Sequence, residues 1–215
     1  MFIKFRTLSF LTLICTSSFI HAETVMVADF TRTQLTDWQE KQFTGRTTYE
    51  IEAVGQQKIL ATFSMNAASG LLKEIHVNLH KTPILHWSWK IKNTLSSTNE
   101  RVKAGDDYAA RVYVVFSDGP FFWQTKTLNY VWANHARIEE HWPNPYTSNA
   151  QMLAIQTGDE KATQWQTESR NVLEDIKTVF GKEITDIDAI AIMTDTDQTG
   201  LTAQAWFGDI WFSDQ

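Results

Sequence analysis

Between positions 84 and 92, Leu85, Trp87, Trp89 and Ile91 alternate with His86, Ser88 and Lys90. This period of two predicts a strand with one face in a core and the other in water. Runs of the same type, rich in β-branched and aromatic residues and separated by turn-like clusters, recur at 25–30, 47–54, 58–63, 73–79, 108–116, 127–134, 151–157, 163–169, 189–194 and 202–212. The run 108–116 is apolar on both faces and carries one charge, Arg111, as a central strand would. Arg111 and Tyr113 then share a face opposite Val112 and Val114. A helical period shows only over 169–181, where Val172, Leu173, Ile176, Val179 and Phe180 form a stripe and Gly181 stands at the stop. Many short strands and one helical segment predict an all-β chain, an antiparallel β-sandwich with one short α-helix near residues 170–180.

Residues 1–22 have a basic start (Lys4, Arg6), an apolar run over 8–20 and a small residue at Ala22, the pattern of a secretory signal peptide cleaved after Ala22. That run is short of the about 20 predominantly apolar residues a membrane span needs, so no stable span is expected after cleavage. The only cysteine, Cys15, lies inside it behind Ile14, not behind the small residue that lipidation requires. The expected product is exported, periplasmic or secreted, and lacks cysteine, which excludes disulfides, thiolate nucleophiles and cysteine-type zinc sites. Without Lys4 and Arg6, 17 basic side chains face 25 acidic ones, a net charge of −8. Nucleic acid is therefore not an expected partner, since affinity for phosphate backbones comes mainly from Lys and Arg. Four prolines and nine glycines, with no low-complexity stretch, suit a single domain over 23–215 whose nine tryptophans help fill the core.

The strings Trp87-Ser-Trp-Lys90, Ala104-Gly-Asp-Asp-Tyr-Ala-Ala-Arg-Val-Tyr-Val114, Leu128-Asn-Tyr-Val-Trp-Ala-Asn134, Ser169-Arg-Asn-Val-Leu-Glu-Asp175 and Ala191-Ile-Met-Thr-Asp-Thr-Asp-Gln-Thr-Gly200 resemble a family of secreted bacterial proteins catalogued as domain of unknown function 3047. That resemblance spans most of the chain after the leader, and it implies an architecture and almost no chemistry. The N-terminal half, with Phe43-Thr-Gly45 followed by paired strands, also resembles galactose-binding-like jelly rolls. This implies a jelly-roll sandwich of the kind that often serves as a carbohydrate-binding module.

Several groups of residues are candidates for chemistry. Asp195-x-Asp197-x-Thr199-Gly200 follows an apolar strand and matches the first half of a calcium loop, in which alternate oxygens meet a hard cation. The position of the closing glutamate is Trp206, and the same letters also suit a turn in which Asp and Thr bond backbone amides. Asp106 and Asp107 precede the strand of Arg111 and either pair with that charge or contribute to a ligand site. Glu168, Arg170, Asn171 and Asp175 surround the helix start, where Asn171 or Ser169 could serve as cap. Tyr130, Trp132 and Asn134 share one strand face next to Asn129, an arrangement for stacking a sugar ring or for filling a core. His135, Glu140 and His141 match no strong zinc spacing. Walker, Rossmann and Gly-x-Ser-x-Gly motifs are missing.

These features favour an exported, non-catalytic domain that recognises a carbohydrate or envelope glycan through loops at one sheet edge, with Ca2+ at Asp195, Asp197 and Thr199. Two other readings stay open. One is a glycan hydrolase using two carboxylates drawn from Asp106, Asp107, Glu168, Asp175, Asp195 and Asp197. The other is a scaffold whose partner is an envelope protein.

Overall fold

In the computed structural model, which describes residues 23–32, 34–95, 99–119 and 121–215, fourteen strands build two sheets. The first sheet runs β1 (Thr24–Ala28), β14 (Ile210–Ser213), β6 (Ile84–Ile91), β13 (Thr202–Phe207), β4 (Gln57–Met65) and β3 (Thr48–Val54), with β11 (Gln166–Asn171) paired to β6. The second runs β2 (Gln39–Thr44), β5 (Ala68–Asn78), β12 (Asp186–Asp195), β7 (Arg111–Ser117), β8 (Thr125–Ala133), β10 (Thr147–Thr157) and β9 (His141–Asn144). Successive strands change sheets repeatedly, from β1 to β2 to β3, from β4 to β5 to β6 to β7, and from β10 to β11 to β12 to β13. The chain thus wraps a β-sandwich of jelly-roll type. The pairing is antiparallel except between β8 and β10, which run parallel because β9 lies outside β10. The expected signal peptide at 1–22 lies outside the described residues. Among those described, no helix is long and apolar enough to cross a membrane.

The alternation of β6 decides its orientation. Leu85, Trp87, Trp89 and Ile91 are fully buried between the sheets, opposite Val112, Val114 and Phe116 of β7 and Leu128, Tyr130 and Trp132 of β8. Trp87 stacks on Tyr130 with centroids 5.2 Å apart, and Trp89 meets Trp132 at 5.9 Å. Each such side chain contributes about 1.5–3 kcal/mol by leaving water, which is how two sheets hold together where the described residues include no cysteine. The helix α1 (Val172–Phe180) packs Val172 and Ile176 into this core. Asn171 caps it by accepting the Glu174 amide at 3.2 Å, and Gly181 ends it with φ of 65°, where a side chain would be strained.

Two strands carry no sequence signal. β2 is Gln-Glu-Lys-Gln-Phe-Thr on an exposed edge, and β9 occupies a stretch that reads as loop, His-Trp-Pro-Asn. The run 202–212 divides into β13 and β14 at Gly208-Asp209, where the Gly208 amide donates to the Ser88 carbonyl and Asp209 accepts the Phe30 amide at 2.8 Å.

Candidate functional site

Strand β12 runs out of the core at Asp195 and enters a turn closed by the Gly200 amide on the Thr196 carbonyl. Asp107, just before β7, holds this turn from the side: its carboxylate accepts the amides of Gln198 at 3.1 Å and Thr199 at 2.6 Å. Arg111 begins β7 beside it. Its Nε donates to Asp195 Oδ1 at 3.0 Å, and its Nη2 donates to Asp195 Oδ2 and to the Asp106 carbonyl. The Tyr108 amide also donates to Asp195, and the Tyr108 ring lies 4.3 Å beneath the guanidinium. Arg111 and Asp195 are thus a buried, two-pronged ion pair. Burial pushes the Asp195 carboxyl above the ordinary carboxylate range, with Arg111 pulling against it. Burial alone would lower the Arg111 pKa; the carboxylates of Asp195 and Asp106 more than offset it.

Asp106 completes the group, 3.8 Å from Arg111 Nη1. Its Oδ2 accepts the Asn144 side-chain amide at 2.7 Å, while its buried Oδ1 accepts no hydrogen bond. Burial raises this carboxyl as well, opposed by Arg111 and Asn144. Oxygens of Asp107, Asp195 and Asp197 lie within 4.8 Å of one another, and among the described residues this is the group of three or more acidic or imidazole ligands that could hold a cation. Asp107 thus stands as a third carboxylate beside Asp195 and Asp197. The Thr199 amide serves Asp107, and its hydroxyl accepts the Leu201 amide. Asp107 and Asp195 are already bonded to turn amides and to Arg111, so a cation there would compete with a guanidinium in contact.

These groups form one end of a cleft across the outer face of β7, β8 and β12. Arg111, Tyr113, Asn129 and Met193 are its floor, and Phe43, Asn144, Tyr146, Asp197 and Gln198 rise around a volume of about 510 Å3. The Asn129 amide nitrogen donates to the Gln151 carbonyl at 3.1 Å, but its oxygen has no partner although the residue is 1% exposed. Such oxygens cost free energy until something donates to them. Beyond Phe43, Tyr113 and Met193 the cleft continues into an apolar hollow of about 230 Å3 lined by Leu72, Val115 and Ala191. Gly70 lines it too, and a Cβ there would stand 3.3 Å from the Ile192 carbonyl. A different hollow of about 580 Å3 lies beside β2 and β3, where Arg46 and Glu40 already satisfy each other at 2.8 Å.

The remaining sequence candidates sit elsewhere. Tyr130 and Trp132 do not form a sugar platform: the register of β8 turns both into the core, leaving Asn129 outward. The Tyr130 hydroxyl donates to Asp175 at 2.8 Å, and Trp132 Nε1 donates to the Gly158 carbonyl. Glu168 accepts Trp89 Nε1 at 3.0 Å and the Gln156 side-chain amide at 2.9 Å. Arg170 bridges Asp175 and Glu139, each through two donors. Asn134 accepts the Leu95 amide and donates to the Asp107 carbonyl, which ties β8 to the acidic end of the cleft. Glu140 pairs with Arg101 and does not converge with His135 and His141. Asn144, Tyr146 and Gln198 escaped the sequence reading; the Asn-Pro-Tyr-Thr turn at 144–147 was the available signal.

No curated protein matches the chain in sequence. Among solved structures, the chain is similar to the xyloglucanase domain of NopAA, a type three effector from Sinorhizobium fredii in complex with cellobiose, at 10% identity over 82% of this chain and 92% of that one, with a TM-score of 0.46. It is also similar to a family 30 carbohydrate-binding module of a Clostridium thermocellum cellulosomal cellulase, at 10% identity, 82% and 90% coverage and a TM-score of 0.43. A third is TmCBM61 in complex with β-1,4-galactotriose, at 9% identity, 86% and 92% coverage and a TM-score of 0.40. Residues 36–211 match the family described as protein of unknown function (DUF3047), and the chain belongs to that family.

Proposed function

We propose that this is an exported, non-catalytic carbohydrate-binding domain that takes a glycan into the cleft over β7, β8 and β12. The observation that carries this reading is the pairing, in one concavity, of an aromatic and thioether wall with carboxylate and amide side chains. Phe43 and Tyr146 are 72% and 52% exposed and Tyr113 lies between the two hollows, which suits the apolar face of a pyranose. Asp106, Asn129, Asn144 and Gln198 bring carboxylate and amide groups to the same cleft, the kind of groups that meet sugar hydroxyls. Export rests on the leader-like residues 1–22 and on the absence of cysteine after them.

The test is calorimetric titration of residues 23–215 with neutral gluco-, xylo-, manno- and galacto-oligosaccharides. Phe43→Ala and Tyr146→Ala touch exposed side chains and leave the fold intact, so binding by the parent and loss in both variants supports the cleft. Heat left unchanged by both variants, or no heat from any sugar, refutes it.

One observation favours a hydrolase as the second reading. Asp106 is a carboxyl raised by burial that lines the same cleft as Asp197, and general acid catalysis needs a carboxyl that keeps its proton. Release of reducing ends from a bound oligosaccharide, abolished in Asp106→Asn, would convert the binding domain into an enzyme.

A further inference from the structure

The solvent side of the first sheet carries a second constellation. In β13 and β14, Trp206 and Trp211 stand between buried neighbours and face outward, and Trp165 precedes β11 on the same side at 40% exposure. The register sets Trp206 against Lys90 and Trp211 against His86, the wet positions of β6. Lys90 Nζ lies 4.2 Å from the Trp206 ring and 5.4 Å from Trp165, while His86 stacks on Trp211 at 5.0 Å and 12°. The imidazole is anchored by a 2.7 Å hydrogen bond to the Ser213 hydroxyl. These contacts fix the indoles and leave Trp165 accessible, so little side-chain entropy remains to be lost when something stacks on it.

Between Trp165 and Trp211 lies a hollow of about 370 Å3, within the size range of small-molecule sites. Its floor is polar: Ser88 and Thr167 present hydroxyls, and Gly208 closes the middle. A Cβ at Gly208 would fall 2.2 Å from Ser88 Oγ, so the glycine keeps that hydroxyl in place. Lys58 and Asp209 on the rim oppose each other in charge, which gives no preference for an ionic ligand. Indole walls, a hydroxyl floor and a balanced rim match a neutral pyranose better than a protein surface, which would meet a flat apolar patch.

We infer that this hollow is a second glycan subsite, on the sheet opposite the cleft, that stacks a neutral sugar unit against Trp165 and Trp211 over Ser88 and Thr167. It does not depend on the cleft, and tryptophan fluorescence separates the two, because no indole lines the cleft. Residues 23–215 are titrated with neutral gluco-, xylo-, manno- and galacto-oligosaccharides of four to six units while indole emission and calorimetric heat are followed together. The expected result is an emission change that persists in Phe43→Ala, weakens about tenfold in Trp165→Ala, and weakens in Gly208→Ala, whose added methyl displaces the Ser88 hydroxyl. Circular dichroism and melting temperature verify that the variants fold. Heat without an emission change overturns the second subsite and leaves the cleft reading standing; an emission change that vanishes in Phe43→Ala assigns the signal to the cleft and also overturns it. Self-association of the parent chain that Trp165→Ala abolishes would make the patch a contact between copies and overturn it as well, as would silence in both signals, which removes both sites.

Discussion

Replacing Asp195 by alanine removes the partner of a guanidinium that has almost no water to fall back on. Arg111 and Asp195 side chains are each 4% exposed, and the carboxylate accepts hydrogen bonds from Arg111 Nε, Arg111 Nη2 and the Tyr108 amide. Breaking a buried pair of this kind costs about 3–5 kcal/mol, because the surviving charge is left uncompensated. Asp106 remains 3.8 Å from Nη1 and its carbonyl still accepts from Nη2, which places the expected cost near the lower end, about 3 kcal/mol. For a domain of this size that corresponds to a fall in melting temperature of about 6–12 °C. Urea unfolding at pH 7 measures it directly, with the slope of the transition monitoring whether the denatured state has changed. The double variant Asp195→Leu with Arg111→Met removes both charges and should recover part of the loss, since apolar replacements of whole buried pairs are often neutral or stabilising, while Asp106, left without its cation, retains the rest. A single variant that loses less than about 1 kcal/mol, or a double variant no better than the single, refutes the ion-pair argument.

Three further outcomes are expected. Burial against Trp211 lowers the His86 pKa below its ordinary 6.5, so its contribution to stability is present above that pH and is lost as pH falls through the folded value; urea midpoints between pH 7.5 and 5 should decline less steeply in His86→Gln, and parallel declines would contradict this. Asn171→Ala removes the acceptor of the Glu174 amide and should cost about 0.5–2 kcal/mol by urea unfolding, whereas an unchanged midpoint would mean the helix is held by packing alone. Asp106, Asp195 and Asp197 line the cleft with Asp107 behind them, against the single charge of Arg111, so oligogalacturonate should bind more weakly than its neutral counterpart, with a gap that narrows in added salt and in Asp197→Asn; equal affinities would show that the acidic end does not meet the sugar.

Legibility in the sequence followed the strength of local pattern. β6 announced its faces because one side is apolar without exception, β7 through the single charge of Arg111, and the helix announced its cap and stop through Asn171 and Gly181. In β8, Leu128 to Ala133 is apolar enough on both sides that neither face is marked as inward, so the orientation of Tyr130 and Trp132 came from the register with β7 and β10. The aspartate strings stood out as polar interruptions, yet nothing local specifies that Asp107 meets the amides of Gln198 and Thr199, or that Arg111 meets Asp195 across 84 positions. The outward tryptophans of β13 and β14 were hidden by the break at Gly208-Asp209, which shifts the alternation within what reads as one run.

The pairing of β1 with β14 sets an order on assembly. Thr24 to Ala28 find their partners at Ile210 to Ser213, and the Phe30 amide reaches Asp209 across 179 positions. Closing so long a loop from an open chain costs on the order of 4–5 kcal/mol of entropy before any contact repays it, so the edge strand docks after the intervening strands have drawn its partner close. Val27, Ala28 and Phe30 therefore add their burial late, and a chain still emerging from synthesis holds these apolar side chains unpaired until its last strand is made.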